Sequence, residues 1–400
     1  MTILLIVRRS LRQHLLSTVI TALSIALAGG LLMSVWVVKT QSQTAFTQVN
    51  TGFDAVLGAR GSKLQLVLNA IFHLEASPGN VAAADYEAIK RHPAVKLAVP
   101  IAVGDNLRGF RIVGTIPEFL TDVEYTPGKK FAFAAGKLFD PAAKEAVVGS
   151  FAAQKLGLKV GDTFHPFHGL AFDASNQHAD TYTVTGLLAP SNTPADKVVW
   201  IPIHGLQTLA GHDPRSATDV SAVLIQLRTP TAGFMLDLLY NKQGNRLTFA
   251  YPIGAIMAEL FGKIGWFDQV LTLIAYLVAF VSAGGVLVAI YNSMAARRRD
   301  IAILRALGAR RRTICGAIIL EAAAIGTLGM LAAFAVYAAI LTGVAAVIRA
   351  QTGVLLDPWT KSPVMLWAPL AMIALCALGG LVPAWKAYRT DVAENLAPVS

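Results

Sequence analysis

Residues 297–312 read RRRDIAILRALGARRR, a short basic stretch between two long apolar segments. It holds seven arginines and one acidic residue in sixteen positions. Its apolar residues Ile301, Leu304, Leu307 and Ala309 recur at the spacing of one helix face. Because short cytoplasmic loops of membrane proteins are enriched in Lys and Arg, the stretch predicts a helix on the cytoplasmic face of the membrane. There it would be accessible to a cytoplasmic partner that could displace it.

The composition indicates a membrane protein that also carries a sizeable polar domain. Of the 400 residues, 54% are hydrophobic and 14% are charged, which is too apolar for an ordinary soluble domain. Residues 1–14, 295–313 and 384–400 together hold twelve Lys or Arg against three acids, whereas residues 39–267 hold twenty against eighteen. The formal charge of +10 therefore reflects membrane orientation and contact with anionic lipid, and it argues against nucleic acid as a partner.

Four apolar spans organise the chain. We predict a cytoplasmic lead at 1–14, spans at 15–38, 268–294, 313–348 and 363–383, an extracytoplasmic domain at 39–267, a cytoplasmic segment at 295–312, an outer loop at 349–362 and a cytoplasmic tail at 384–400. The first span has twenty-four residues without a charge, enough to cross the bilayer. A cleaved signal peptide is the alternative, but the apolar run continues for ten residues beyond the small-residue motif at 26–28.

The charges of the short segments set the orientation. Twelve Lys or Arg fall in the predicted inner segments and two in the short outer loop, so both termini are placed in the cytoplasm. Both cysteines, Cys315 and Cys376, lie in apolar spans, which excludes a disulfide framework and any metal-type Cys spacing.

The segment 39–267 predicts an α+β domain of roughly 230 residues, large enough to bury its own core. Runs rich in β-branched and aromatic residues indicate strands at 110–115, 181–187, 198–203 and 220–228. Helical patterns are predicted at 82–91, 142–156 and 231–241. Residues 41–50 and 253–267 are predicted to extend the first and second spans outward as stalks.

The glycines of the spans suggest where a helix could break and where helices could pack closely. The third span has thirty-six residues, so it must tilt, break near Gly326 or Gly329, or project outward. Paired glycines at 29–30, 284–285 and 379–380 allow close helix packing, which we expect to be with a second copy of a permease. Simple tolerance of glycine in apolar helices is the alternative.

The chain lacks the motifs of a self-contained ATPase or a common hydrolase. It contains no G-x-x-x-x-G-K-[ST], G-x-G-x-x-G, G-x-S-x-G or H-E-x-x-H. If nucleotide energy drives this protein, another chain must bind the ATP, and no cofactor is expected in this one.

Several stretches resemble one family of membrane proteins. RDIAILRALGA at 299–309 follows the second span, VPAWKA at 382–387 follows the fourth, and GKLF at 136–139, AVVG at 146–149 and LGLKVGD at 156–162 lie in the outer domain. With the order of one span, a large domain and three spans, they resemble the FtsX-type permeases of the MacB and LolC/LolE superfamily. Asp300 stands where that family usually has Glu, and no ATPase domain is fused as it is in MacB.

The resemblance implies a role for the basic stretch and a set of partners. In the family this segment is the coupling helix that docks into the ATPase, which assigns that role to Arg298, Asp300, Ile301, Leu304, Arg305, Leu307 and Gly308. A surface helix whose arginines only meet lipid phosphates is the alternative. The implied partners are a separate ABC ATPase subunit, a second permease copy, identical or not, membrane lipid, and an adaptor or outer-membrane protein.

Two residues near the spans are assigned structural roles. Glu321 lies about two turns inside the third span, where a lone carboxylate is costly. We expect it to pair with an arginine of the basic stretch or to stay protonated. Pro383 belongs to the family motif that follows the fourth span.

One polar segment contains candidate metal ligands. HPFHGLAFDASNQHAD, residues 165–180, holds His165, His168 and His178 together with Asp173 and Asp180. Such side chains can bind a metal ion, and the three histidines are the weak candidates. The spacing is irregular and the segment resembles an exposed loop, so a solvated polar loop is favoured and no metal is expected.

By this resemblance, we predict the membrane subunit of an ABC-type complex in a bacterial inner membrane, with a periplasmic domain. ATP hydrolysis in a partner would move the coupling segment, and the first two spans would carry the movement outward for efflux, extraction of lipoproteins or lipids, or related work. The alternative is a non-transporting regulator or sensor of an outer partner such as a cell-wall hydrolase. A membrane-tethered enzyme is disfavoured, because residues 39–267 show no nucleophile and base constellation.

Overall fold

A computed structural model describes residues 3–47, 52–207, 218–296, 303, 305–306, 308–353, 356–357 and 359–389. The chain divides into two compact units. We call the first the membrane unit; it consists of Met1–Gln41, Ile264–Ala345 and Asp357–Ser400. The second, the outer unit, consists of Ser42–Lys263 and Ala346–Leu356.

Helices account for nearly all of the membrane unit and surround the sheet of the outer unit. In the described part of the chain, we number them α1 Ile3–Gln13, α2 Leu15–Thr47, α3 Lys63–Ala70, α4 Ala83–Lys90, α5 Glu118–Thr121, α6 Ser150–Leu156, α7 Ile203–Gln207, α8 Pro230–Leu238, α9 Ile253–Ala296, α10 Arg311–Thr352, α11 Val364–Gly379 and α12 Leu381–Arg389. Short 3₁₀ and π turns lie at Pro194–Lys197 and Leu239–Gln243.

Four helical segments among the described residues are long and apolar enough to cross a membrane. They are Leu15–Thr44, Ile253–Asn292, Arg311–Thr352 and Val364–Lys386. The large α/β domain lies between the first and the second of them in sequence, which confirms the predicted fold class. The second segment begins at Ile253, where the stalk was predicted, and continues as one helix to Ala296.

Glycines let α2 and α10 approach closely inside the membrane unit. A Cβ atom built on Gly29 would lie 2.6 Å from Met330 Sδ, and one on Gly30 would lie 2.6 Å from Val336 Cγ1. The first glycine pair therefore packs within the chain, and not against a second copy as we expected. Gly284 and Gly285 have no atom within 4 Å of such a Cβ among the described residues.

The third span is one unbroken helix, so a break near Gly326 or Gly329, one of the three alternatives for its excess length, does not occur. A Cβ on Gly329 would lie 2.6 Å from Ile25 Cβ, and one on Gly326 would lie 3.1 Å from Cys376 Cβ. These glycines serve close packing and do not bend the helix. The last residues of α10, from Ala346 onward, belong to the outer unit.

A mixed sheet forms the centre of the outer unit. Its strands run in the order β13-β1-β12-β2-β3-β11-β7-β10-β6, with β8 paired to β10 and β9 paired to β2, while β4 and β5 form a separate hairpin. The strands are β1 Ala55–Ala59, β2 Val95–Leu107, β3 Phe110–Thr115, β4 Glu124–Thr126, β5 Lys129–Lys130, β6 Phe133–Gly136, β7 Glu145–Val148, β8 Thr163–Phe164, β9 Phe167–His168, β10 Tyr182–Leu188, β11 Val199–Pro202, β12 Ala222–Leu227 and β13 Leu247–Ala250.

The central strands are apolar on both faces because the sheet is covered on both sides. In β12, Leu224 packs into one core cluster and Val223 and Ile225 into another on the opposite face. Strands buried on both faces have continuous apolar sequences, which is what AVLIQL shows. In contrast, β10 alternates buried and half-buried residues along YTVTGLL.

The predicted helix at 142–156 is wrong in its first half. Glu145–Val148 form β7, which runs parallel to β10, and α6 begins only at Ser150. Val147 and Val148 are fully buried, and β-branched residues fit a packed sheet better than a helix. Gly149 lies between the strand and α6, and it has no room for a side chain because a Cβ there would lie 2.4 Å from the carbonyl oxygen of Ala195.

Candidate functional site

The basic stretch at 297–312 is described only in part. Arg298, Asp300, Ile301, Leu304 and Leu307 lie outside the described residues, so their coupling role stays a prediction. Ile303, Arg305 and Ala306 are helical, with Ile303 exposed and Arg305 half-buried. Gly308 has a φ of +95°, and its N–H donates to the carbonyl oxygen of Arg305 at 3.0 Å. This conformation favours glycine, and it turns the chain before α10 begins at Arg311.

Cation–aromatic contacts connect helix ends next to this stretch. The ammonium of Lys386, on α12, lies 4.4 Å from the ring centre of Tyr291, on α9, and also donates a hydrogen bond to its hydroxyl. The guanidinium of Arg311, at the start of α10, lies 5.2 Å from the ring centre of Tyr388. Both contacts belong to the membrane unit, and together they join α9, α10 and α12 near the two ends of the basic stretch at 297–312.

Glu321 and Pro383 take positions consistent with structural roles. Ser10, which is fully buried on α1, donates a hydrogen bond from its Oγ to Glu321 Oε1. This hydrogen bond connects α1 to α10. It does not test the predicted pairing of Glu321 with an arginine, which stays a prediction. Pro383 is buried in the first turn of α12, where its missing N–H costs nothing.

The outer end of α10 is attached to the α6 side of the outer unit. Lys197 Nζ donates to the carbonyl oxygen of Gln351 at 2.6 Å, and the guanidinium of Arg349 lies 5.0 Å from the ring centre of Phe151 on α6. Burial, and then the charge of Arg111, lower the pKa of Lys197 below its usual value. Sequence reasoning missed this attachment, and the only signal was the excess length of the third span.

A half-buried histidine marks a second feature that sequence reasoning missed. His73 has a φ of 55°, and its ring meets Trp200 edge-on with ring centres 5.7 Å apart. Its Nδ1 is enclosed and has no hydrogen-bond partner within the described part of the chain. Burial, and then the charges of Arg111 and Lys197, lower the pKa of His73 from 6.5 to about 3. His73 is therefore neutral in the folded protein at any ordinary pH.

The candidate metal ligands separate into two groups. His168 and His178 meet Asp105 of β2, which sequence reasoning did not select, and the three ligand atoms lie within 4.8 Å of one another. His165 is exposed, and its Nδ1 lies 3.1 Å from the carbonyl oxygen of Asp180 instead. The segment is thus not a uniformly solvated loop, because His178 is buried and Asp105 is fully buried.

Comparisons with known proteins agree with this architecture. The model of the MacB-like periplasmic core domain matches residues 18–233, and the model of the FtsX-like permease C-terminal domain matches residues 272–392. No curated protein sequence matches the chain.

Two solved structures are similar to part of the chain. The extracellular domain of the noncanonic ABC-type transporter YknZ from Gram-positive bacteria is 16% identical, with 49% of this chain and 99% of that chain covered and a TM-score of 0.32. The periplasmic region of MacB from Actinobacillus actinomycetemcomitans is 8% identical, with 54% and 94% covered and a TM-score of 0.36. Since the first family model spans more than half of the chain and the second covers most of the rest, the chain belongs to the FtsX/MacB-type permeases, the membrane subunits of ABC systems.

Proposed function

We propose that this permease transmits movement from a separate ABC ATPase to its outer unit, in a bacterial inner membrane with the outer unit on the periplasmic side. The ATPase would bind the coupling segment at 297–312. Closure of two ATPase chains around ATP would then displace that segment in each of two permease copies. The family supports a membrane subunit of an ABC system; the transmission step is our proposal.

The observation that carries the proposal is the position of the coupling segment between α9 and α10. Each of these helices has residues in both units: α9 passes from the outer unit to the membrane unit after Lys263, and α10 passes back after Ala345. A helix with intact backbone hydrogen bonds resists bending far better than a loop does. Displacement of the segment therefore acts on two stiff elements at once.

The contacts at the end of α10 are where its displacement would act on the outer unit. Lys197 and Phe151 hold the last turns of this helix through Gln351 and Arg349. Sequence reasoning assigned transmission to the first and second spans, and these contacts add the third. Because the spans carry few charges, a polar channel through them is disfavoured, and the substrate would be handled on the outer side of the membrane.

The first experiment identifies the partners. The full chain, purified from its native cells in a mild detergent, should retain an ABC ATPase subunit detectable by mass spectrometry. Leu304→Asp should abolish that association while the chain still inserts into the membrane, because a charge replaces an apolar contact. Val160→Asp, at an exposed apolar position of the outer unit, is the matched control.

The outcomes separate the alternatives. Retention of the ATPase at wild-type level by Leu304→Asp would overturn the docking assignment. Copurification of a cell-wall hydrolase, together with an ATPase rate that no transport substrate stimulates, would favour the non-transporting regulator.

A further inference from the structure

Three side chains from separate stretches converge at one point of the outer unit. Asp105 lies on β2, His168 on β9 and His178 on the segment that follows β9. His168 Nδ1 and His178 Nε2 each lie 3.3 Å from the same atom, Asp105 Oδ1. The two imidazole rings meet edge-on with centres 5.5 Å apart.

A bulge in β2 brings Asp105 to this point. The register between β2 and β3 shifts between Val103 and Asp105, and Asp105 then lies directly across from His168 in the antiparallel pair of β2 and β9. Bulges re-aim side chains in this way. The N–H of Gly169 donates to the carbonyl oxygen of Gly104 at 2.8 Å, so the backbone next to His168 is fixed at the bulge.

The surrounding chain holds the ligand segment in place. Asn106, fully buried beside Asp105, donates from Nδ2 to the carbonyl oxygens of Phe167, Gly169 and Ala171. The N–H of His168 donates to Asn176, and the N–H of His178 donates to Pro166, at 2.7 and 2.9 Å. The site is therefore built by backbone and amide hydrogen bonds and does not depend on a metal to bring its ligands together.

The spacing of the donor atoms fits a tetrahedral metal ion. Zinc bonds to His nitrogen and carboxylate oxygen are about 2.0–2.2 Å long, which separates neighbouring ligand atoms of a tetrahedron by about 3.4 Å. The two separations of 3.3 Å to Asp105 Oδ1 agree with this value, and all three ligand atoms lie within 4.8 Å of one another. The contact between His178 Nε2 and Asp105 Oδ1 is also a hydrogen bond, longer than the usual 2.7–3.2 Å.

We propose that Asp105, His168 and His178 bind a divalent transition-metal ion, with Zn²⁺ as the ion this donor set favours. Imidazole nitrogen suits zinc and its neighbours, whereas Ca²⁺ and Mg²⁺ select oxygen ligands. The side chain of His168 is 55% exposed while those of Asp105 and His178 are buried, so the ion has an entrance and its fourth position faces water. Bound metal would add a further link between β2 and the segment that carries His168 and His178.

The test uses the full chain in detergent, purified with a tag that contains no histidine and stripped with a chelator. Zn²⁺ titration against a chromophoric chelator should give one ion per chain. Since loss of an outer-shell partner alone costs about 10–100-fold in metal affinity, loss of a direct ligand in His168→Ala should cost at least about 100-fold. His165→Ala is the matched control, because His165 is exposed in the same segment but outside the cluster.

A spectroscopic readout keeps the test independent of small folding defects. Co²⁺ bound to the wild-type chain should show the strong visible absorption of tetrahedral coordination, which His165→Ala keeps and both His168→Ala and His178→Gln lose. Equal Zn²⁺ affinities of His168→Ala and His165→Ala would overturn the proposal. So would failure of the wild-type chain to bind one Zn²⁺, or displacement of Zn²⁺ by an equal concentration of Ca²⁺ or Mg²⁺.

Discussion

The close packing of α2 and α10 at Gly329 can be tested with a single added methyl group. Gly329→Ala places a Cβ atom 2.6 Å from Ile25 Cβ and 2.9 Å from the carbonyl oxygen of Ala22. All of these atoms are backbone atoms or are bonded directly to the backbone, so no side-chain rotation relieves the contact. The two helices must separate.

The size of the effect follows from that distance. Carbon atoms in good contact are about 3.5–4.0 Å apart, so the helices must move by about 1 Å, and a gap of 0.5–1 Å forfeits roughly a quarter to a half of each dispersion contact. Overpacking of this kind costs about 1–3 kcal/mol. Gly343→Ala is the matched control on the same helix, because a Cβ at Gly343 has no atom within 4 Å among the described residues. The gain in helix propensity from Gly to Ala is common to both variants and cancels in the comparison.

The cysteines provide an assay specific to the membrane unit. Cys315 and Cys376 are the only cysteines of the chain, and Cys376 is buried in the core of that unit. In a Cys315→Ala background, a dye that fluoresces on reaction with thiols therefore reports melting of this unit alone. We expect Gly329→Ala to lower the melting temperature by about 2–10 °C relative to Gly343→Ala. Equal melting temperatures for the two variants would refute the steric argument.

Two further predictions concern the outer unit. The contribution of His73 to the stability of this unit is fully present above a pH of about 6.5 and is lost as the pH falls toward about 3, because the unfolded chain protonates His73 before the folded chain does. Acidification to pH 5 should therefore cost at most about 2 kcal/mol through this residue, and thermal melts of His73→Asn should show a weaker pH dependence. If the proposed function is correct, Gly262→Pro should interrupt α9 while the ATPase still binds. The ATP-dependent change in distances between spin labels in the outer unit should then be lost. Gly262→Ala should preserve the change, since a Cβ there has no atom within 4 Å among the described residues; loss of the response in both variants would contradict a role for helix stiffness.

The fold was predictable from sequence where local pattern and burial agree. Four long apolar runs with few charges specify four spans, and the strand predicted at 110–115 coincides with β3. The pattern at 142–156 misled, because EAVV is compatible with either a helix or a buried strand. Pairing with β10 and β11 stabilises the strand. Pairing between strands that are distant in sequence cannot be detected from the residue pattern of a short stretch.

The candidate metal cluster could also be predicted only in part, because one of its ligands is distant in sequence. Its histidines were visible as a group in 165–180, but Asp105 lies more than sixty residues earlier in the chain and is brought to them by the register of β2 with β9. Sequence spacing can identify ligands that share a loop or a helix. It cannot identify a ligand that arrives through strand pairing and a bulge, and an irregular spacing is therefore weak evidence against a metal site.

The contacts that hold the end of α10 in the outer unit suggest how the proposed movement reaches that unit. If movement reached the outer unit only through its entry and exit points in sequence, α2 and α9, the third span would need no more than the residues that cross the bilayer. Instead α10 continues to Thr352, and Lys197 and Phe151 hold its end. The coupling segment joins α9 directly to α10, so its displacement changes the relation between two helices that are both anchored in the outer unit. Since α10 adds a third connection to the outer unit beside α2 and α9, a relative movement of α9 and α10 would deform that unit and not only displace it, and we therefore propose that the third span belongs to the transmission path.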